Sequence, residues 1–301
     1  MPHLKKPFRL WALARLGTAA AILTAGLPAA AADKQIVLVA GHPSHGPGEH
    51  EFRAGSLLLQ KCLNTIPGMH AEVYTNGWPK DAAAFDQAAA VLFFMDGGGG
   101  HPVAQGDHLQ IVDALAKRGV GIACAHYGVE IPLKHGGTNF LDWIGGFYED
   151  GVSINPVWTA EVKPAADHPV TRGVQPFKLN DEWYFNIHFR DGMKGVTPLL
   201  MATPDNETRQ GRSASPRGPF ERITAAAGHE EVLMWAVENP GANRGFGFTG
   251  GHFNRNWGDA NFRKVVLNGL LWIAHAEVPQ GGVASVVTPE ELKQNLDPKG
   301  R

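Results

Sequence analysis

The sequence predicts a doubly wound α/β protein, a mostly parallel sheet with an antiparallel extension, on three observations. Short, continuous apolar runs alternate with amphipathic segments through the front half, the pattern of parallel strands buried on both faces and their crossover helices. The back half carries strand-like segments with few helices between them and closes on one amphipathic helix. Histidines recur just past the apolar runs, at the strand ends where open α/β sheets bind ligands.

In chain order, "QIVLVA" (35–40) reads as a strand and "EFRAGSLLLQKCLN" (51–64) has helical spacing. "HAEVYT" (70–75) and "AAVLFFM" (89–95) are the second and third strands. "GDHLQIVDALAKRG" (106–119) places Leu109, Val112, Leu115 and Ala116 on one helical face, and "VGIACA" (120–125) is the fourth strand. "NPVWTAEVKP", "KLNDEWYF", "VTPLLMATP", "EVLMWAVEN" and "RGFGFTG" follow as strands that extend the same sheet. "DANFRKVVLNGLLWIAHA" (259–276) is the closing helix, and "PQGGVAS" (279–285) reads as a linker. "TPEELKQNL" predicts a terminal helix with Thr288 as N-cap, Pro289 at its first position and Glu291 completing a capping box.

Residues 1–32 have the composition of a cleavable signal peptide. Lys5, Lys6, Arg9 and Arg15 form a basic region, "LGTAAAILTAGLP" is a short apolar stretch, and small residues place cleavage near Ala32. The apolar stretch falls short of the roughly 20 residues of a membrane span. The expectation is an exported protein, periplasmic or extracellular, with one domain over 33–278 and a linker with a short helix over 279–301. Losing the leader's four basic residues takes the net charge from −2 to −6, which gives no electrostatic footprint for nucleic acid. Cys62 and Cys124 are the only cysteines and are expected as packed thiols in a helix and a strand.

Four strand ends deliver histidines to one rim: "GHPSHGPGEHE", "DGGGGHP", "HYGVE" and "GHFNRNW". In "GVGIACAHYGVE" a buried strand runs into a sharp turn of the kind that holds a nucleophile in hydrolase-like sheets, and His126 occupies that position. Together with "NDEWY" and "GFGFTGGHFNRNWGDANFRKVVLNGLLWIA", these segments resemble the ThuA-like (trehalose utilisation) family of the class I glutamine amidotransferase-like superfamily, over residues 35–276. The resemblance implies a flavodoxin-like core and a role in sugar metabolism, on keto-glycosides made by a partner dehydrogenase. The amidotransferase thiol does not carry over, because its position is His126.

A histidine on a rigid turn is a good ligand for zinc or a similar divalent ion. His45, His50, His126 and His252 are the candidate metal ligands, with Glu182 as a carboxylate ligand or base. A metal-free site using the same histidines as acid, base and hydrogen-bonding groups is the alternative. His126, Glu182 and His252 are the candidate catalytic residues, and His101, Asp181 and Trp257 the candidate sugar contacts. "GGGGH" lacks the Lys and Ser/Thr of a phosphate-binding loop, so no nucleotide is expected. Trp78, Trp158 and Trp183 read as core. The chemistry expected is proton abstraction beside a ketone, leading to isomerisation or elimination. A non-catalytic sugar-binding module and a metal-dependent glycoside or ester hydrolase are the competing readings.

Overall fold

A computed structural model describes residues 1–4, 33–211, 217 and 220–299. The basic and apolar parts of the expected leader, and its cleavage site, lie outside the described residues. The front half runs β1 (Lys34–Ala40), α1 (Phe52–Leu63), β2 (Met69–Tyr74), β3 (Ala88–Phe94), α2 (His108–Lys117), β4 (Gly121–Ala125) and α3 (Gly137–Ile144). The back half adds β5 (Gly146–Phe147), β6 (Val157–Pro164), β7 (Phe177–Glu182), β8 (His188–Phe189) and β9 (Val196–Ala202). After two single-turn helices, α4 (Asn206–Arg209) and α5 (Glu221–Thr224), come β10 (Glu231–Glu238), β11 (Arg244–Phe248) and α6 (Ala260–Ile273).

One mixed sheet has the order β2-β1-β3-β4-β11-β10-β9-β6-β7. Its first five strands are parallel, and the rest alternate in direction. The inner parallel strands are mostly apolar because both faces are covered, whereas the edge strand β2 carries the exposed His70 and the half-buried Glu72. Ile36, Leu38 and Ala40 of β1 join the core under α1 and α6, while Val37 and Val39 join the core under α2 and α3. In β11, Phe246 and Phe248 fill the α6 side. On the other side a Cβ at Gly247 would meet the Trp235 ring at 2.1 Å, so only glycine lets that indole lie flat on the strand. Cys62 and Cys124 are buried free thiols.

The antiparallel half brings a distant strand back to the rim. Four direction changes from β11 leave β7 pointing the same way as the parallel strands. In a flat sheet the two would lie roughly 19 Å apart. Yet β6 pairs with β9 at only two positions, Lys163–Met201 and Pro164–Leu200, while it pairs with β7 along six. The β6–β7 hairpin therefore folds over the sheet, with Trp183 against Phe248 and Phe262. Asp181 at the end of β7 accepts the Gly251 and His252 N–H groups at 2.8 and 3.1 Å.

The C-terminal segment departs from the sequence expectation. The reciprocal Thr288–Glu291 capping bonds form, but only one 3-10 turn, Glu291–Lys293, follows them. Tertiary partners take the backbone instead: Asn254 donates to the Leu292 carbonyl, and Glu51 accepts the Asp297 N–H. The expected linker is pinned as well. Arg263 of α6 holds Ser285, and Asn268 accepts the Val283 N–H at 2.8 Å.

Candidate metal centre

The carboxyl ends of β1, β3, β4, β7 and β11 meet at one rim. The loop after β1 carries Ser44, His45 and His50; β3 leads to Asp96, β4 to His126, β7 ends on Glu182, and β11 leads to His252. Three of these histidines hold left-handed backbone, with φ of 60° at His45, 44° at His50 and 50° at His126. Such conformations cost energy in non-glycine residues and cluster where geometry serves function.

His126 Nδ1 lies 3.0 Å from the Thr249 carbonyl oxygen, which can only accept, so the ring carries its proton there and turns a bare Nε2 inward. His50 Nδ1 lies 3.0 Å from Asp96 Oδ1, which also accepts from Ser44 Oγ at 2.8 Å. That bond likewise leaves His50 Nε2 bare. The two bare nitrogens face each other at 3.0 Å, and His252 Nδ1 lies 3.0 Å from His50 Nε2. Glu182 Oε2 completes the group at 3.2 Å from His252 Nδ1 and 3.5 Å from His126 Nε2.

Protonation is a poor remedy for the two facing lone pairs. Burial, then the neighbouring His45 and His252, lowers the His50 pKa to about 2. Burial, then His50 and His252, holds His126 well below the ordinary histidine value. At His252 burial again disfavours the charge, but the hydrogen bond and charge of Glu182 outweigh it and the pKa is raised. A cation other than a proton suits the centre. Around a tetrahedral ion with bonds of about 2.05 Å, neighbouring donors sit roughly 3.3 Å apart. Four of the six donor separations, at 3.0–3.5 Å, fit that edge length, and all six lie within 4.8 Å. Asp96 and the Thr249 carbonyl would then stand behind His50 and His126 as the kind of partner that orients a metal-binding imidazole.

The centre opens on a cleft of about 320 Å³, whose lining includes His50, Glu182, Tyr127, Glu130, Tyr148 and Tyr184. Asn155 ties its wall together, donating to Glu182 Oε1 at 3.0 Å and accepting from the Tyr148 hydroxyl at 3.2 Å. Burial, then the charges of Asp150 and Glu182, pushes the Glu130 carboxyl up to about 7. Burial also raises the Tyr127 hydroxyl to about 12.

Of the sequence-predicted residues, His50, His126, Glu182 and His252 converge. His45 stacks on His50 with centroids 3.6 Å apart, and is exposed; with His50 and Asp96 it forms a second, adjoining group of donors. Three expected sugar contacts are corrected by their placement. His101 is fully buried, accepting the Val103 N–H and lying 3.1 Å from the Gly128 carbonyl, so both ring nitrogens serve the backbone. Asp181 is buried beneath the loop after β11, whose N–H groups occupy it. Trp257 is core, packed on Phe94 and Phe262. Sequence reasoning missed Asp96 and Glu130, although one directly follows Met95 at the end of "LFFM" and the other ends "HYGVE".

Fold and site together define a doubly wound α/β protein with a histidine–carboxylate centre on its carboxyl rim. The chain belongs to the ThuA family, described as trehalose utilisation, whose family model matches residues 46–273. None of the curated proteins matches it in sequence. A ThuA-like protein from Parabacteroides merdae has a similar structure, with a TM-score of 0.55 and 17% identity over 85% of this chain and 94% of that one. A ThuA-like protein from Bacteroides uniformis gives a TM-score of 0.59 and 15% identity over 82% and 95%.

Proposed function

We propose that the protein is an exported, metal-dependent enzyme acting on keto-sugars or keto-glycosides, by proton abstraction beside the ketone followed by isomerisation or elimination. The observation that carries this reading is the His50–His126 contact, two bare imidazole nitrogens at 3.0 Å with their protons committed elsewhere. His50, His126, His252 and Glu182 would hold a divalent ion such as zinc. When bound, the ion would supply Lewis-acid polarisation of a substrate oxygen. With all four side chains engaged, the ion would act on a substrate by accepting one further oxygen from the cleft side.

The family's trehalose-utilisation description supports a sugar as substrate. The hydroxyls and carboxylates of the cleft suit a polyol, and its volume is at the small end of the usual range for ligand pockets. A dehydrogenase that oxidises the sugar would supply the ketone. The test is metal analysis of the purified protein, then oxidised and unoxidised disaccharides offered with and without chelator. The expected result is about one divalent ion per chain and turnover of the oxidised sugars alone, abolished by chelation. Metal-free protein of full activity would overturn the reading. Export is checked in the same preparation, whose N-terminus should lie near Asp33.

A further inference from the structure

We propose that Glu130 is the proton-transferring residue of the cleft, taking a proton from the carbon beside the substrate ketone and delivering it to product. The inference rests on the keto-sugar reading above. His50, His126, His252 and Glu182 face one another, which leaves none of them free for a substrate proton while they hold an ion. Tyr184 lies 3.4 Å from His126 Nε2, and Tyr148 is engaged with Asn155. Tyr127 is too weak an acid to supply an anion at neutral pH.

Glu130 differs from all of these. Its carboxylate lines the same cleft, and is half-buried with no side-chain hydrogen bond or ion pair among the described residues. A carboxylate held that way costs stability unless something else is gained. Its backbone, by contrast, is fixed on both sides. Its N–H donates to the Tyr127 carbonyl and its carbonyl accepts the Gly98 N–H, each at 3.0 Å, and it bridges to Tyr148. Two glycines after β3 allow this contact: a Cβ at Gly97 would lie 2.1 Å from the Tyr127 and 2.6 Å from the Glu130 carbonyl oxygen, and Gly98 sits at φ +63°. A rigid mount for an unpartnered carboxylate is the arrangement a proton-transfer group needs. The charges that face it are Asp150 and Glu182, with Tyr127 and Tyr148 beside them. In the metal-free protein burial, then these two carboxylates, raises its carboxyl toward neutral, the direction that lets one group both accept and return a proton.

In the step, a Glu130 oxygen takes the proton. The C–H electron pair becomes the C=C bond of an enolate, and the carbonyl π pair moves onto oxygen. In isomerisation Glu130 returns the proton to the former carbonyl carbon, while the hydroxyl proton of the carbon first deprotonated passes to the enolate oxygen, so the ketone moves by one carbon. In elimination the enolate re-forms the ketone, its C=C pair becomes the double bond to the anomeric carbon, and the anomeric substituent leaves with its electron pair and is protonated by Glu130.

The experiment compares wild type, Glu130→Gln and Glu130→Asp for metal content, keto-sugar binding, turnover, and deuterium exchange beside the ketone in heavy water. Glu130→Gln should keep the metal and bind sugar within about threefold of wild type. It should lose exchange and turnover by roughly 100- to 10,000-fold, with Glu130→Asp intermediate. In carbon-13 titration of the metal-free protein, a glutamate signal titrating at about 7 should vanish in Glu130→Gln. Exchange within tenfold of wild type in Glu130→Gln would overturn the assignment alone. A wild type that neither binds metal nor exchanges the proton would overturn the underlying function, and this role with it.

Discussion

His50 and Asp96 are joined at 3.0 Å through His50 Nδ1, and this bond decides where the other ring nitrogen points. Asp96 follows β3 and His50 precedes α1, so the pair ties two strand ends of the parallel sheet together. With its proton held by the carboxylate, the imidazole offers Nε2 to His126 and His252. In the metal-dependent reading proposed above, Asp96 would be a positioning residue for that centre.

Asp96→Asn should therefore weaken metal binding while leaving the fold in place. The amide cannot supply the carboxylate's charge, and its NH2 group offers no preference for a proton on His50 Nδ1. Loss of such a partner typically costs about 10- to 100-fold in metal affinity. Competition titration against a chromophoric chelator measures it directly. Unchanged affinity would show that the carboxylate does not orient the ligand.

His101 makes a pH-dependent contribution that can be separated from the site. Burial lowers its pKa from 6.5 to about 4. The folded protein holds it neutral, accepting from Val103 and donating to Gly128, and protonation would destroy the acceptor. Between pH 6.5 and about 4 the unfolded chain binds a proton that the folded chain refuses, so stability falls as pH falls through this window. The full effect is about 3 kcal/mol. His101→Asn keeps an acceptor for the cap but loses the Gly128 bond, at a cost of about 1–3 kcal/mol at neutral pH. The gap between variant and wild type should then narrow toward pH 4. Urea unfolding at pH 7.5 and 4.5 reads it, and an equal gap at both would refute the buried neutral state.

The parallel strands were legible because burial on two faces writes an uninterrupted apolar run, as in β1 and β4. His50, His126 and His252 were legible because each stands just past such a run or at the loop it feeds. Sequence marks Glu182 as ligand or base and Asp181 as a sugar contact, neighbours in one strand that it places on the same rim. The folding-over of the β6–β7 hairpin separates them, turning one into the centre and the other beneath the β11 loop. Asp96 and Glu130 were hidden for a related reason: nothing local marks a carboxylate as partnered or unpartnered. His101 misled because a glycine-rich turn allows a ligand to approach the backbone closely, whereas here Gly97 lies against the Tyr127 and Glu130 carbonyls. Trp257 misled because the space it fills is made by Gly55 on α1, far away in sequence.

Lys299 and Glu51 provide the last prediction, since the C-terminal segment reaches the loop that carries His50. The Lys299 and Glu51 side chains are 5% and 1% exposed and lie 3.4 Å apart. Lys299 also donates to the carbonyls of Gly46 and Glu49, and Glu51 accepts the Gly48 and Asp297 N–H groups. Lys299→Met leaves the Glu51 charge buried without its counter-ion, a change that costs about 3–5 kcal/mol for a fully buried pair. Because the damage is an uncompensated charge, adding Glu51→Gln to Lys299→Met should recover part of it. Denaturant unfolding of the two single variants and the double variant measures the coupling. Hydrogen exchange should show Gly48 and His50 opening faster in Lys299→Met, with β1 and β4 unchanged. Strict additivity of the two substitutions, or unaltered exchange at the loop, would mean that the tail rests on the His50 loop without holding it.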